Sequence, residues 1–88
     1  MQQLTKYNIS IQTFQNANFI KSGWAEATFY NAGTTTIILN GLPLVPGQSL
    51  AINGNQYEID DTKYSWQFSG SGVNLLQIIA KYYANIIE

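Results

Sequence analysis

The run YNAGTTTIILNGLPLVPGQSLAINGNQYEID, Tyr30 to Asp60, sets two Asn-Gly pairs and one Pro-Gly between short apolar segments. A type I′ turn needs positive φ at both central residues, and Asn-Gly supplies it. Asn40-Gly41 and Asn53-Gly54 therefore each predict a tight hairpin, the second leading into a strand at Gln56 to Ile59. Pro46-Gly47 fits the two central positions of a type II turn. TTTIIL, residues 34 to 39, is rich in β-branched side chains that suit a pleated surface. Its Ile37-Ile38-Leu39 run has no polar face, which predicts cover on both sides, by the core and by a second surface. Pro43 and Pro46 cannot donate to a ladder, so LPLVPG belongs at a sheet edge or in a turn.

The same pattern continues outward. Upstream, YNISIQT alternates, with Tyr7, Ile9 and Ile11 on one side and Asn8, Ser10 and Gln12 on the other, and predicts a half-buried strand. QNANFIKSG reads as a loop, and WAEATFY resumes the alternation. Downstream, YSWQF places Tyr64, Trp66 and Phe68 on one face, and SGSG reads as a flexible hinge or hairpin loop. NLLQIIAKYYANII is ambiguous: Leu75, Ile79, Tyr82 and Ile86 would form a helical stripe, whereas its Ile-Ile and Tyr-Tyr pairs favour a strand to about Tyr83. Turns every eight to twelve residues are the mark of a small sandwich or barrel. The expected fold is a single all-β domain over 1–88, a small antiparallel β-sandwich or barrel with tight hairpins. A C-terminal helix over 74–87 is the minority reading, and 1–20 has a second reading as a less ordered or partner-bound segment.

Composition narrows the function classes. A chain of 88 residues is close to the lower limit for independent folding and usually needs disulfides, metal or partners. It has no Cys and no His, which removes disulfides and the usual structural zinc ligands and leaves association. Charged residues make up 10% against about 25% in a typical domain, and the formal net charge is -1; such a surface opposes self-association weakly. The cations are four scattered lysines with no Arg, so a nucleic-acid partner is not expected. The start MQQLTKYNISIQTF lacks the apolar stretch of a signal peptide, and no run approaches membrane-spanning length. The expected location is the cytoplasm where the chain is made, unless it leaves as part of a larger particle.

Without His or Cys, the common nucleophile–base arrangements are missing, and an enzyme is not expected; no cofactor is implied. Glu58-Ile59-Asp60-Asp61 is the single acidic cluster. It reads either as oxygen ligands for calcium or as a solvated strand end in which Asp60 or Asp61 shapes an Asx turn before Thr62. Gly70-Ser71-Gly72 lacks the Lys and Ser/Thr of a phosphate loop and reads as a loop. Trp24, Tyr64 and Trp66 could form a platform for stacking a sugar ring, with a carbohydrate or receptor as partner. The competing reading puts Trp66 and its strand-mates in the core.

Asn31, Gly33, Thr34, Asn40, Gly41, Leu44, Pro46, Gly47, Ser49, Glu58 and Asp60 follow the pattern N-x-G-T-x-x-I-x-x-N-G-x-x-L-x-P-G-x-S with a later E-x-D. In this the chain resembles small virion proteins of tailed bacteriophages of Bacteroidetes hosts, across its C-terminal two-thirds; residues 1–20 carry none of the pattern. The resemblance implies a non-enzymatic structural part, in capsid decoration, a head-fibre base or a tail component. It implies self-association and contact with other virion proteins, and a virion location after synthesis in the host cytoplasm. Ile37, Ile38 and Leu39 are the candidate interface residues.

Overall fold

The computed structural model describes residues 6–55 and 58–83. It is all-β, with eight strands and no helix among the described residues. They are β1 (Tyr7–Phe14), β2 (Asn18–Lys21), β3 (Glu26–Asn31), β4 (Thr36–Leu39), β5 (Leu42–Leu44), β6 (Ser49–Ile52), β7 (Lys63–Ser69) and β8 (Leu76–Tyr83). Two antiparallel four-stranded sheets result, sheet A in the order β1-β8-β3-β6 and sheet B in the order β2-β7-β4-β5. This is a small β-sandwich. Its core interleaves Ala27, Phe29, Leu76, Ile78 and Ala80 of sheet A with Ile37, Leu39, Leu44, Tyr64 and Trp66 of sheet B.

The expected turn chemistry is present at Asn40-Gly41, within sheet B, and at Pro46-Gly47, where the chain crosses from β5 of sheet B to β6 of sheet A. Asn40 and Gly41 have φ of 47° and 85° and close the β4–β5 hairpin with Leu39 opposite Leu42, as a type I′ turn requires. Gly47 has φ 82° and Gln48 N–H donates to Val45 C=O at 3.0 Å, closing the turn at Pro46. Pro43 sits in β5, an edge strand of sheet B, where a missing donor is tolerated.

At two other turns the hairpin reading fails. After β6 the chain leaves sheet A and enters sheet B at β7, so Asn53-Gly54 closes no hairpin, and neither residue has positive φ. Gly54 serves close approach instead: a Cβ there would collide with the Ala25 carbonyl oxygen. Of the strand expected at 56–59, residues 56 and 57 lie outside the described residues, and Glu58 and Ile59 are not in a strand. Likewise Ser69 to Gly72 carries the chain from sheet B back to sheet A and is no hairpin. It is tied down beside Val73, whose N–H donates to Thr34 Oγ1 at 2.8 Å while its C=O accepts from Thr34 N–H at 2.8 Å.

Asn31 organises the crossing from β3 to β4. Its side chain is fully buried, and Nδ2 donates to the carbonyls of Thr35 at 2.7 Å and Leu44 at 2.8 Å. Its Oδ1 accepts from Gly33 N–H at 3.1 Å, and its backbone exchanges bonds with Gly47 and Gln48. One amide thus joins the end of sheet A to the residue before β4 and to β5. Gly33 lies so close to the Val73 carbonyl that a Cβ could not fit. Gly33→Ala is expected to cost about 1–3 kcal/mol by overpacking; an unchanged urea midpoint would contradict this close approach.

The C-terminal segment is a strand to Tyr83, paired with both β1 and β3. The alternative helix over 74–87 is excluded for its described part, and 84–87 lie outside the described residues. Of the segment 1–20, residues 7–14 form β1 and 18–20 lie in β2. Residues 1–5 lie outside the described residues.

Candidate functional site

The aromatic residues considered for a sugar platform lie inside the protein. Trp24, Tyr64 and Trp66 are all buried. β7 points Tyr64 and Trp66 inward by simple alternation. Trp66 packs at 4.7 Å from the Phe14 ring, and its Nε1 donates to Asn16 C=O at 3.1 Å. Trp24 precedes β3, stacks on Tyr64 at 5.5 Å and meets the Phe29 ring edge-on at 5.8 Å. With both faces of these rings against protein, none is open to a sugar, and the platform reading is corrected to core packing.

Asp60 caps this cluster. It bridges to Trp24, its Oδ2 accepts from Tyr64 O–H at 2.6 Å, and its Oδ1 accepts from Thr62 N–H at 2.9 Å. That last bond is the Asx turn expected before Thr62. Burial pushes the Asp60 carboxyl up, but hydrogen bonds from Thr62 and Tyr64 and the nearby Trp24 indole outweigh it, holding the group below the ordinary carboxylate value of 3.8. The buried Trp24 Nε1 itself has no acceptor in hydrogen-bonding geometry. Burial, then the Asp60 bond, pushes the Tyr64 phenol up to about 12.

A carboxyl with a depressed folded pKa contributes stability above its unfolded value, which is lost as pH falls through the folded value. Asp60 therefore contributes fully above 3.8 and fails in stronger acid. Asp60→Asn is expected to flatten the loss of stability as pH falls below 3.8, read from urea midpoints; an identical acid slope there would contradict it. No group of three carboxylates converges as a metal site among the described residues. Gly70-Ser71-Gly72 is occupied with the inter-sheet crossing.

Of the candidate interface residues, Ile37 and Leu39 are in the chain's own core, since alternate residues of β4 face sheet A. This corrects their assignment; only Ile38 faces outward, half-buried and paired with Gln67 and Pro43. Exposed apolar residues are spread over the surface, Phe19, Leu42, Val45, Ile59 and Val73 among them, but they cluster on the outside of sheet A. Tyr7, Ile9 and Ile11 of β1 are 56%, 55% and 66% exposed, and Ile79 of β8 is 37% exposed. Ile11 lies opposite Ile79, and Ile9 opposite Lys81, with Thr28 next along the Ile79 row. Lys81 Nζ sits 4.7 Å over the Tyr7 ring, leaving the aliphatic side chains of this face uncovered. An open groove of about 240 Å³ crosses the face between Tyr7, Ile9, Glu26 and Ile79.

β1 keeps its expected alternation, but its polar side faces inward: Ser10 lies opposite Ala80 and Gln12 opposite Ile78. Alternation identifies the strand but not which face the second sheet covers. No signal in β1 itself shows this, because a set of Asn, Ser and Gln reads as the solvent side and the structure turns it inward.

Comparison with protein-family models, with curated proteins and with solved structures finds no match to this chain.

Proposed function

We propose that the protein is a structural component of a tailed-phage virion, on the capsid or tail, that acts by burying surface against other protein chains and not by turnover. The observation that carries this reading is the outer face of sheet A, where Tyr7, Ile9, Ile11 and Ile79 stand exposed side by side across β1 and β8. Single exposed apolar residues are ordinary, but a contiguous patch in a monomer marks an interaction surface. The low charge of the chain, 10%, leaves little repulsion against docking onto a shell of protein. The opposite face of the sandwich mixes Ser65, Gln67 and Ser69 of β7 with single apolar residues, Phe19 and Ile38, beside them. The sequence pattern from Asn31 to Ser49 supports the virion assignment by resemblance, and its Asn31, Gly33 and Asn40 serve structural roles in turns and sheet junctions.

Mass measurement in solution beside proteomics of purified particles tests this. Association in solution and recovery of the chain with the particles are expected. A strictly monomeric chain at high concentration that is absent from the particles would refute it. Ile79→Lys is expected to cut incorporation at least tenfold while stability stays within about 0.5 kcal/mol, because the side chain is already partly in solvent. Incorporation at the wild-type level would contradict the use of this face.

A further inference from the structure

We infer that the free edge of β1 pairs antiparallel with β1 of a second copy, joining two sandwiches through one continuous sheet. This goes beyond the virion reading and does not depend on a particle.

A sheet edge leaves a row of backbone donors and acceptors unpaired, and natural edges are usually blunted by shortness, Pro or charge. Three of the four edges here are blunted in this way. β2 has four residues and ends on Lys21 opposite Lys63, β5 has three with Pro43 at its centre, and β6 has four. β1 has eight residues, with no charge and no Pro, and beyond β8 it has no strand partner among the described residues. About four of those eight residues present their N–H and C=O to the open side.

The strand is complementary to itself. A two-fold axis perpendicular to the sheet at Ser10 sets residue i opposite residue 20 − i, an isologous arrangement. On the outer face this puts Ile9 of each copy opposite Ile11 of the other, so four isoleucines form one cluster. On the inner face Asn8 faces Gln12, an amide pair able to exchange hydrogen bonds, and Ser10 faces its own copy. Centring on Ile11 instead would oppose Asn8 to Phe14 and Ile9 to Thr13. Centring on Ile9 also opposes like to like but joins only residues 7–11, so the Ser10 register gives the longest matched run, and with no charged residue in β1 nothing repels the second copy. The inward Asn, Ser and Gln that a core does not need acquire a purpose as cross-dimer pairs. The outer faces of both copies then lie on one side of the joined sheet, doubling the apolar surface offered to a shell.

The chain has no Cys, so one introduced thiol reports on this geometry. The wild type is expected to sediment at twice 9.8 kDa. Ser10→Cys should cross-link to a dimer with a short bifunctional thiol reagent, because directly opposed Cβ atoms lie within about 5.5 Å. Thr28→Cys, in the middle of the outer face, should not cross-link. The double variant Ile9→Lys with Ile11→Lys should be a folded monomer by circular dichroism, and Ile9→Lys with Ile11→Glu should restore the dimer by opposing unlike charges. A wild type that stays monomeric at high concentration would overturn the proposal. So would cross-linking through Thr28→Cys and not Ser10→Cys, or a dimer that persists in the double-Lys variant. Loss of the dimer in both charge variants would overturn the Ser10 register.

Discussion

Trp66→Ala is expected to remove about 3–5 kcal/mol of stability, against roughly 4–13 kcal/mol for a chain of this size at 0.05–0.15 kcal/mol per residue. The indole is buried between the sheets, against the Phe14 ring at 4.7 Å. Removing it opens a cavity that the short strands on either side cannot close. It also frees the Asn16 carbonyl, which accepts the indole N–H at 3.1 Å, and so loosens the connection from β1 to β2. Urea unfolding should show the midpoint collapsing towards zero denaturant. A cooperative transition at the wild-type midpoint would contradict the core assignment and return Trp66 to the surface.

The second large effect is at Asn31. Asn31→Ala leaves the Thr35 and Leu44 carbonyls and the Gly33 N–H without the side-chain partners they have now. At about 1–3 kcal/mol for each group left unpaired, the three together give an expected cost of about 3–9 kcal/mol. Asn31→Asp keeps the shape but turns a carboxylate oxygen towards two carbonyls. Desolvation and those carbonyls would raise the introduced carboxyl's folded pKa above its unfolded value. The folded state then binds the extra proton, so the variant should gain stability as pH falls through that raised value, opposite in sign to the Asp60 contribution. Stability that is flat with pH in Asn31→Asp, or an Asn31→Ala midpoint near wild type, would contradict the amide's role in joining the sheets.

The all-β fold was readable because its signals are local. Asn40, Gly41 and Gly47 take the positive φ their residue types permit, and the alternation of β7 predicts an inward Trp66. The errors lie where the outcome depends on tertiary placement, although Pro46-Gly47 keeps its expected turn at the crossing from sheet B to sheet A. Asn53-Gly54 has the residues of a hairpin, but the chain crosses between sheets there, so Gly54 is held by its approach to Ala25 and not by φ. Ile37 and Leu39 read as interface candidates together with Ile38 because an apolar run of three cannot show which members face inward. Tyr7, Ile9 and Ile11 look like a core face because alternation does not distinguish a covered side from an open one. The candidate surface was therefore visible as a strand and invisible as a surface. Asn31 was readable as a turn residue, but its bond to Leu44, thirteen positions away, is a tertiary fact.

The central claim is that the outer face of sheet A is buried against protein when the chain is at work. Hydroxyl-radical footprinting of purified particles, set against the isolated folded chain, tests it most directly. Tyr7, Ile9, Ile11 and Ile79, exposed in the free chain, should lose at least tenfold in labelling inside the particle, while Phe19 and Val73, exposed elsewhere, keep theirs. Equal labelling of the sheet A residues in both states, or no chain in the particle to label, would contradict it.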